Sequence, residues 1–300
     1  MSFERRTTRW AVTWTTILAI FTLLLILANR FTEGERFYDV PSMVIVAVAL
    51  VGLLVLQRAT AESGLWRVHT RQIGLMAAGT LAYVLLAYTF NEVLALSLGP
   101  VPLRPQICIP ILLGYALTPA VGFFAGATGS LLGDFVTGWG VFPAWHIGDG
   151  LTGLVPGLIR LLSSERRKLR YLSTAVVVSM ALTAAVIFIH PRAPEPWTGE
   201  VTNFSFWAWV LLVEAVIMLP NSYLLERVSV VLAGINLWGA LGILVGHGFT
   251  SLAHIWIYEY SVGTALIGEF APAIAADTLN LIIFAPLLLA AYNAVRSPRT

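Results

Sequence analysis

The stretch "RPQICIPILLGYALTPAVGFFAGATGSLLGDFVTG", residues 104–138, decides how the chain is threaded. Nearly every side chain in it is apolar or small. Drawn as one helix it would be about 50 Å long at roughly 1.5 Å per residue, against a bilayer core about 30 Å thick. Pro119 sits near its middle, with Gly114 and Gly122 on either side. Proline lacks the amide hydrogen a helix interior needs and clashes with the preceding turn. A break there gives two short helices, about 104–117 and 119–137.

Charge placement supports the break. Other apolar segments run over 10–28, 41–57, 72–96, 147–162, 171–189, 204–225, 230–257 and 267–295. Cytoplasmic loops should hold the basic side chains. Arg5, Arg6 and Arg9 precede the first segment, and Arg58, Arg67 and Arg71 follow the second. Arg166, Arg167, Lys168 and Arg170 lie at 163–171, and Arg296 and Arg299 end the chain. With the break at Pro119 all four groups fall on one side; without it the strongest group falls outside. The apolar run at 10–28 can span, and no small-residue cleavage site follows it, so it reads as a retained first span. The fold class expected is an all-α integral membrane protein. It is a polytopic bundle of about ten transmembrane helices, multi-pass in the cell membrane, with both termini cytoplasmic.

Composition agrees and excludes several functions. The 300 residues are 58% hydrophobic and 11% charged, against about 25% charged in soluble domains. Lys168 is the one lysine beside seventeen arginines, so no nucleotide-binding G-x-x-x-x-G-K-[ST] loop exists. Cys108 is the one cysteine, which excludes an internal disulfide and a thiolate zinc cluster. No metal or cofactor is called for. The net charge of +2 is no nucleic-acid footprint, because the arginines sit in short loops. The partner that composition does require is the lipid bilayer.

Polar residues within the spans gather on the outer half. Asp134 lies about one turn below the outer end of its helix, and His146 and Asp149 open the next. Glu269 begins the last helix, with Asp277 and Asn280 two to three turns deeper, and His254 and Glu259 end the helix before it. An ionised carboxylate near the bilayer centre costs about 2.5–3.5 kcal/mol on insertion scales, so such residues mark pairing or function. His146 and Asp149 are three apart and share a helix face. The start of that helix adds free amide donors and a positive dipole end. Trp139, Phe142 and Trp145 lie just before it. The set describes an outward-facing aromatic and acidic cup suited to a small polar ring compound.

Each member also has a structural use. Asp134 can cap or pair locally, Trp139 and Trp145 can sit in an interface belt, and Asp149 and Glu269 can serve as N-terminal helix charges. Glu92 and Glu214 stand apart from the set and read as interhelical or protonated groups. It is the convergence that carries the inference. Glycines spaced by three or four, as in "GFFAGATGSLLGDFVTGWG" (122–140) and "GDGLTGLVPG" (148–157), let helices approach closely in lipid. The loop "HPRAPEPWTGE" (190–200) reads as a cap over a helix pair.

Residues 103–159 carry an R-P-x-x-x-I-P opening, a G-F-x-x-G-x-x-G run, an aspartate, an aromatic loop and W-x-I-G-x-G-L-x-G-L. This pattern resembles the substrate-binding membrane subunits, or S components, of energy-coupling factor (ECF) transporters. "IGEFAPAIAADTLNLIIFAPLLLAAY" (267–292) looks like that family's last helix. "LMAAGTLAYVLL" looks like its first, where an A-x-x-x-A strip docks the coupling subunit; Ala78 and Ala82 match the strip.

The resemblance implies a six-helix core over about 70–165 and 240–293. Residues 1–69 would then be an extra N-terminal transmembrane helix pair. Residues 70–296 would be the substrate-binding membrane domain, with an inserted helix pair near 171–225. Ser130, Asp149 and Asp277 depart from the asparagines common in the family. The expected partners are a vitamin-like small molecule, an ECF coupling transmembrane subunit and two cytoplasmic ATPases, with no catalysis in this chain. The implied substrate-binding residues are Asp134, Trp139, Trp145, His146, Asp149, Glu269, Asp277 and Asn280. Metal-specific relatives carry histidine at the N-terminus; Met1-Ser2-Phe3 here argues against nickel or cobalt. Two alternatives stay open: a membrane enzyme using Asp134, His146 or Asp149 as acid and base, and a secondary transporter using Asp134 and Asp277 as proton carriers. H-E-x-x-H, G-x-S-x-G and G-x-G-D motifs are absent from the sequence, and repeat symmetry across the halves is not seen.

Overall fold

The break falls at Pro119. In the computed structural model, which describes residues 11–31, 39–98, 101–161, 166–228 and 230–296, Leu117 and Thr118 leave the helical path. The Thr118 hydroxyl then accepts a 3.2 Å hydrogen bond from the Val121 amide and starts a new helix with Pro119 in its first turn. That is the position where proline's missing donor costs nothing.

Ten α-helices are present among the described residues. α1 (Trp14–Phe31) and α2 (Val40–Ala59) come first. α3 (Thr70–Ala87) widens at its end into a π-helical segment, Tyr88–Val93. A 3-10 turn at Pro105–Ile107 leads into α4 (Cys108–Ala116), followed by α5 (Pro119–Thr137) and α6 (Pro143–Gly157). α7 (Arg166–Ile189), α8 (Ser205–Val228) and α9 (Val230–Ile257) precede a second π-helical segment, Thr264–Phe270, and α10 (Ala271–Arg296). Arg5, Arg6, Arg9 and Arg299, part of the charge argument, lie outside the described residues.

Among the described residues, seven stretches are long and apolar enough to cross a membrane: Trp14–Phe31, Val40–Ala59, Thr70–Val93, Pro119–Thr137, Arg170–Ile189, Ala233–Ile257 and Thr264–Ala294. α4 and α6 have nine and fifteen residues, short of the roughly 20 that a full crossing takes. The surface of the bundle is apolar. Val44, Val48, Val51 and Val55 on α2 recur at helical spacing and are each more than half exposed. Such a stripe belongs in lipid, and the protein is a multi-pass membrane protein.

Two cores meet along α4. Ile109 and Leu113 pack with Trp14, Phe21, Phe123 and Ile147, on α1, α5 and α6. Ile107 and Ile111 turn the other way, toward Met180, Trp207, Leu211, Ile243 and Ile274 of the later helices. α1 is fastened in the first core by its aromatic face: Trp14 and Phe21 meet Phe123 edge-on at 5.3 and 5.7 Å. α7 and α8 are fastened just as firmly in the second, with Ala184 and Leu211 fully buried.

α5 and α6 touch backbone to backbone. A Cβ on Gly122 would overlap the Gly153 carbonyl, and one on Gly126 the Asp149 carbonyl. The small-residue spacing read in the sequence is therefore the α5–α6 contact. It brings the helix bearing Asp134 against the helix bearing Asp149.

Candidate functional site

α5 ends at Gly138, whose left-handed φ of 76° only glycine adopts readily. The turn is closed by the Trp139 amide donating to the Asp134 carbonyl at 2.9 Å. It folds Trp139 back over the end of α5. α6 begins four residues after Trp139, at Pro143. This corrects the expected start of α6: Asp149 sits two turns in, not at the first turn's free amides.

Between these ends lies a cavity of about 610 Å³. Its wall takes Tyr83 and Asn91 from the end of α3, Arg104 and Gln106 from before α4, and Ser130 and Asp134 from α5. Trp139, Phe142, Trp145 and Asp149 come from the turn and α6, and Glu269, Pro272, Ala273 and Asp277 from the last π turn and α10. Both π-helical segments contribute, a placement such distortions often have. Asp134, Trp139, Trp145, Asp149, Glu269 and Asp277, all expected in one site, thus share one cavity.

Two expected members are not on its wall. His146 is fully buried behind Ser130. Its Nε2 accepts from the Phe142 amide at 3.0 Å, which leaves Nδ1 as the protonated nitrogen facing the Ser130 hydroxyl at 3.1 Å. It ties the first turn of α6 to α5, and Asp134 stands off at 3.8 Å. Asn280 donates to the Ala276 carbonyl of its own helix at 3.0 Å and is buried one turn past Asp277.

The centre of the site is Arg104, which the sequence reading used only as the opening of a motif. It donates to Asp149 Oδ2 at 2.6 Å and to the Tyr83 hydroxyl at 3.1 Å. Tyr83 in turn donates to the same Asp149 oxygen at 3.0 Å. The guanidinium also lies 3.9 Å from Asp277 and 5.7 Å from the centre of the Trp145 ring. Two histidines of α9, seven residues apart and so on one face, hold two of the other carboxylates. His247 Nε2 meets Asp277 Oδ2 at 2.7 Å, and His254 Nδ1 meets Glu269 Oε1 at 2.6 Å. Trp145 stands edge-on to both, with ring centres 5.2 and 6.2 Å away.

The loop at 190–200 does more than cap a helix pair. Arg192–Pro194 pairs antiparallel with Val201–Asn203, and the hairpin brings Pro196 and Trp197 to the cavity mouth. Tyr260 donates to the Pro196 carbonyl at 2.9 Å, and Trp197 meets Phe142 edge-on at 6.1 Å. Gly268 admits the hairpin, since a Cβ there would press on the Pro194 carbonyl. Trp197 is 60% exposed, so its removal leaves the core intact. Trp197→Ala is expected to leave the melting temperature unchanged and to weaken ligand binding about five- to tenfold, the worth of one aromatic contact. Calorimetry on purified protein checks this.

Residues 67–190, which take in α3 through α7, match the family described as "ECF-type riboflavin transporter, S component". Among curated proteins the chain is 32% identical over 116 residues to a UPF0397 protein of Vibrio atlanticus (strain LGP32), covering 35% of this chain and 64% of that one. It is 34% identical over 64 residues to a UPF0397 protein of Aliivibrio salmonicida (strain LFI1238), 21% and 35% of the two chains. A UPF0397 protein of Streptococcus pneumoniae (strain Hungary19A-6) is 30% identical over 90 residues, 24% and 50%. The chain thus spans between about a third and just under two thirds of the length of these relatives. No solved structure gives a significant match. The family match bears out the S-component resemblance read from residues 103–159. The family so matched is described as a component of a transporter.

Proposed function

We propose that this chain captures a small vitamin-like molecule from outside the cell and passes it to an ECF module for ATP-driven uptake. One observation carries the reading: carboxylates and tryptophans from separate helices of a membrane bundle line a single cavity of about 610 Å³. That volume suits a drug-sized or vitamin-sized ligand. The cavity is built from the ends of α3 and α5, the starts of α6 and α10, and the α7–α8 hairpin. Arg58, Arg67, Arg71 and Arg170 belong to the opposite helix ends. Basic loops inside then put the cavity outside and both termini in the cytoplasm. Within residues 1–69, α1 and α2 are a helix pair added before the substrate-binding domain, in keeping with a family match that opens at 67.

The ligand contacts assigned are Asp134, Trp139, Trp145, Asp149, Glu269 and Asp277, with Arg104 and Tyr83 added; His146 and Asn280 support the wall. The coupling subunit docks on α3, where Ala78 is exposed and Ala82 partly buried. Ala78→Leu is expected to spare ligand binding and to prevent co-purification with the coupling subunit. Survival of the complex in that variant would place docking elsewhere.

The functional test is uptake of the bound ligand into vesicles. Uptake only with the coupling subunit and both ATPases present supports capture. Uptake by this chain alone, driven by an ion gradient, would make it a secondary transporter. Chemical turnover of the ligand would make it an enzyme.

A further inference from the structure

We infer that the cavity takes an amino-substituted nitrogen heterocycle, neutral or cationic and without phosphate; this deepens, and rests on, the capture reading above. The reason is a pattern repeated on three carboxylates. Each has one oxygen engaged by the protein and the other without a partner. Asp149 Oδ2 is held by Arg104 and Tyr83, while Oδ1 has none. Asp277 Oδ2 is held by His247, while Oδ1 has none. Glu269 Oε1 is held by His254, while Oε2 has none. The three residues are 0, 1 and 5% exposed, and all line the cavity.

A buried acceptor left unpaired costs about 1–3 kcal/mol. Three such acceptors on carboxylates that line one cavity, each clamped by its other oxygen, suit a ligand rich in hydrogen-bond donors. Amino groups and ring N–H groups on a flat heterocycle supply such donors in one plane. The faces of that plane are matched by Trp145, Trp139 and Trp197.

Charge sets the rest. Among the described residues lining the cavity, four carboxylates (Asp134, Asp149, Glu269, Asp277) face one guanidinium. That guanidinium already donates to Asp149 and Tyr83. A phosphate would meet carboxylates and find no free cation on this wall, whereas a protonated ring or amino group would meet its counter-charge. Polyols offer donors too, but they have no flat face for the tryptophans.

The test uses detergent-purified full-length protein and calorimetry with a fixed set of probes: 2,6-diaminopurine, unsubstituted purine, diaminopurine riboside, its monophosphate, riboflavin and flavin mononucleotide. Diaminopurine or its riboside is expected to bind. Purine should bind at least about tenfold more weakly, because each missing donor leaves a buried acceptor unpaired. The monophosphate should bind more weakly than the riboside by a similar factor or more. In Glu269→Gln the gap between diaminopurine and purine should narrow, since the amide no longer offers a carboxylate oxygen. The inference is overturned if purine, riboflavin or either phosphate ester binds as tightly as the amino compounds, or if no amino compound binds at about 1 mM. In those cases a ligand of other chemistry, bound tightly or retained through purification, leaves the capture reading standing. A protein that binds and retains no small molecule brings down both.

Discussion

Asp149→Ala is expected to abolish ligand binding and to destabilise the protein by about 3 kcal/mol, the lower end of the range for breaking a buried ion pair from one side. Asp149 is fully buried and is the close counter-charge of Arg104, at 2.6 Å. Without it the guanidinium keeps the Tyr83 hydroxyl and a distant Asp277, 3.9 Å away. The lower end applies because the Arg104 side chain retains 18% exposure. The double variant Arg104→Met with Asp149→Leu should regain most of the lost stability, since replacing both partners by apolar groups removes the orphaned charge. It should not regain binding. Thermal unfolding in detergent and calorimetry on the same samples separate the two effects. Binding intact in Asp149→Ala would remove this residue from the site.

Gly126→Leu is the second large effect, and it acts through backbone alone. A Cβ at 126 overlaps the Asp149 carbonyl, and the Gly150 Cα stands 3.2 Å away. No side-chain rotation relieves either contact, so α5 and α6 must part. Overpacking of this kind costs about 1–3 kcal/mol or more. Asp134 and Asp149 sit on the two separated helices, so binding should be lost with the packing. Gly74→Leu is the matched control, because a Cβ there meets nothing within 4 Å. It should fold and bind as the unchanged protein does. Gly126→Leu with normal stability and normal affinity would mean that α5 and α6 do not make this contact.

Much of this was legible in the chain. The Pro119 break followed from helix length against bilayer thickness, and a threonine immediately before the proline is the helix-start signal that the structure uses. The small-residue spacing of α5 and α6 named the contact correctly, because only glycine lets two backbones touch. The carboxylates were visible as charges inside apolar runs.

What stayed hidden was what those charges pair with. Arg104 carried a signal that went unused: an arginine at the arginine-poor end of a membrane bundle needs a buried partner. His254 was counted in the outer polar set, but its spacing from His247, i and i+7 of one span, went unread. Tyr83 carried none, because a tyrosine in an apolar helix looks like packing until the fold sets it beside Asp149. His146 misled because spacing along a helix gives the face a residue shares, not which of its neighbours stands in front of it. Trp197 could not be placed, since nothing in a proline-rich loop says over which helix ends it will fold.

The most direct test is mass spectrometry of the small molecules extracted from purified protein, comparing the unchanged chain with Asp277→Asn. The asparagine keeps the shape and a hydrogen bond to His247 but removes the carboxylate from the wall. A single small compound carried by the unchanged protein and missing from the variant is the predicted result. The same compound in equal amounts in both, or none in either after growth on rich medium, would contradict the claim that these carboxylates form a ligand site.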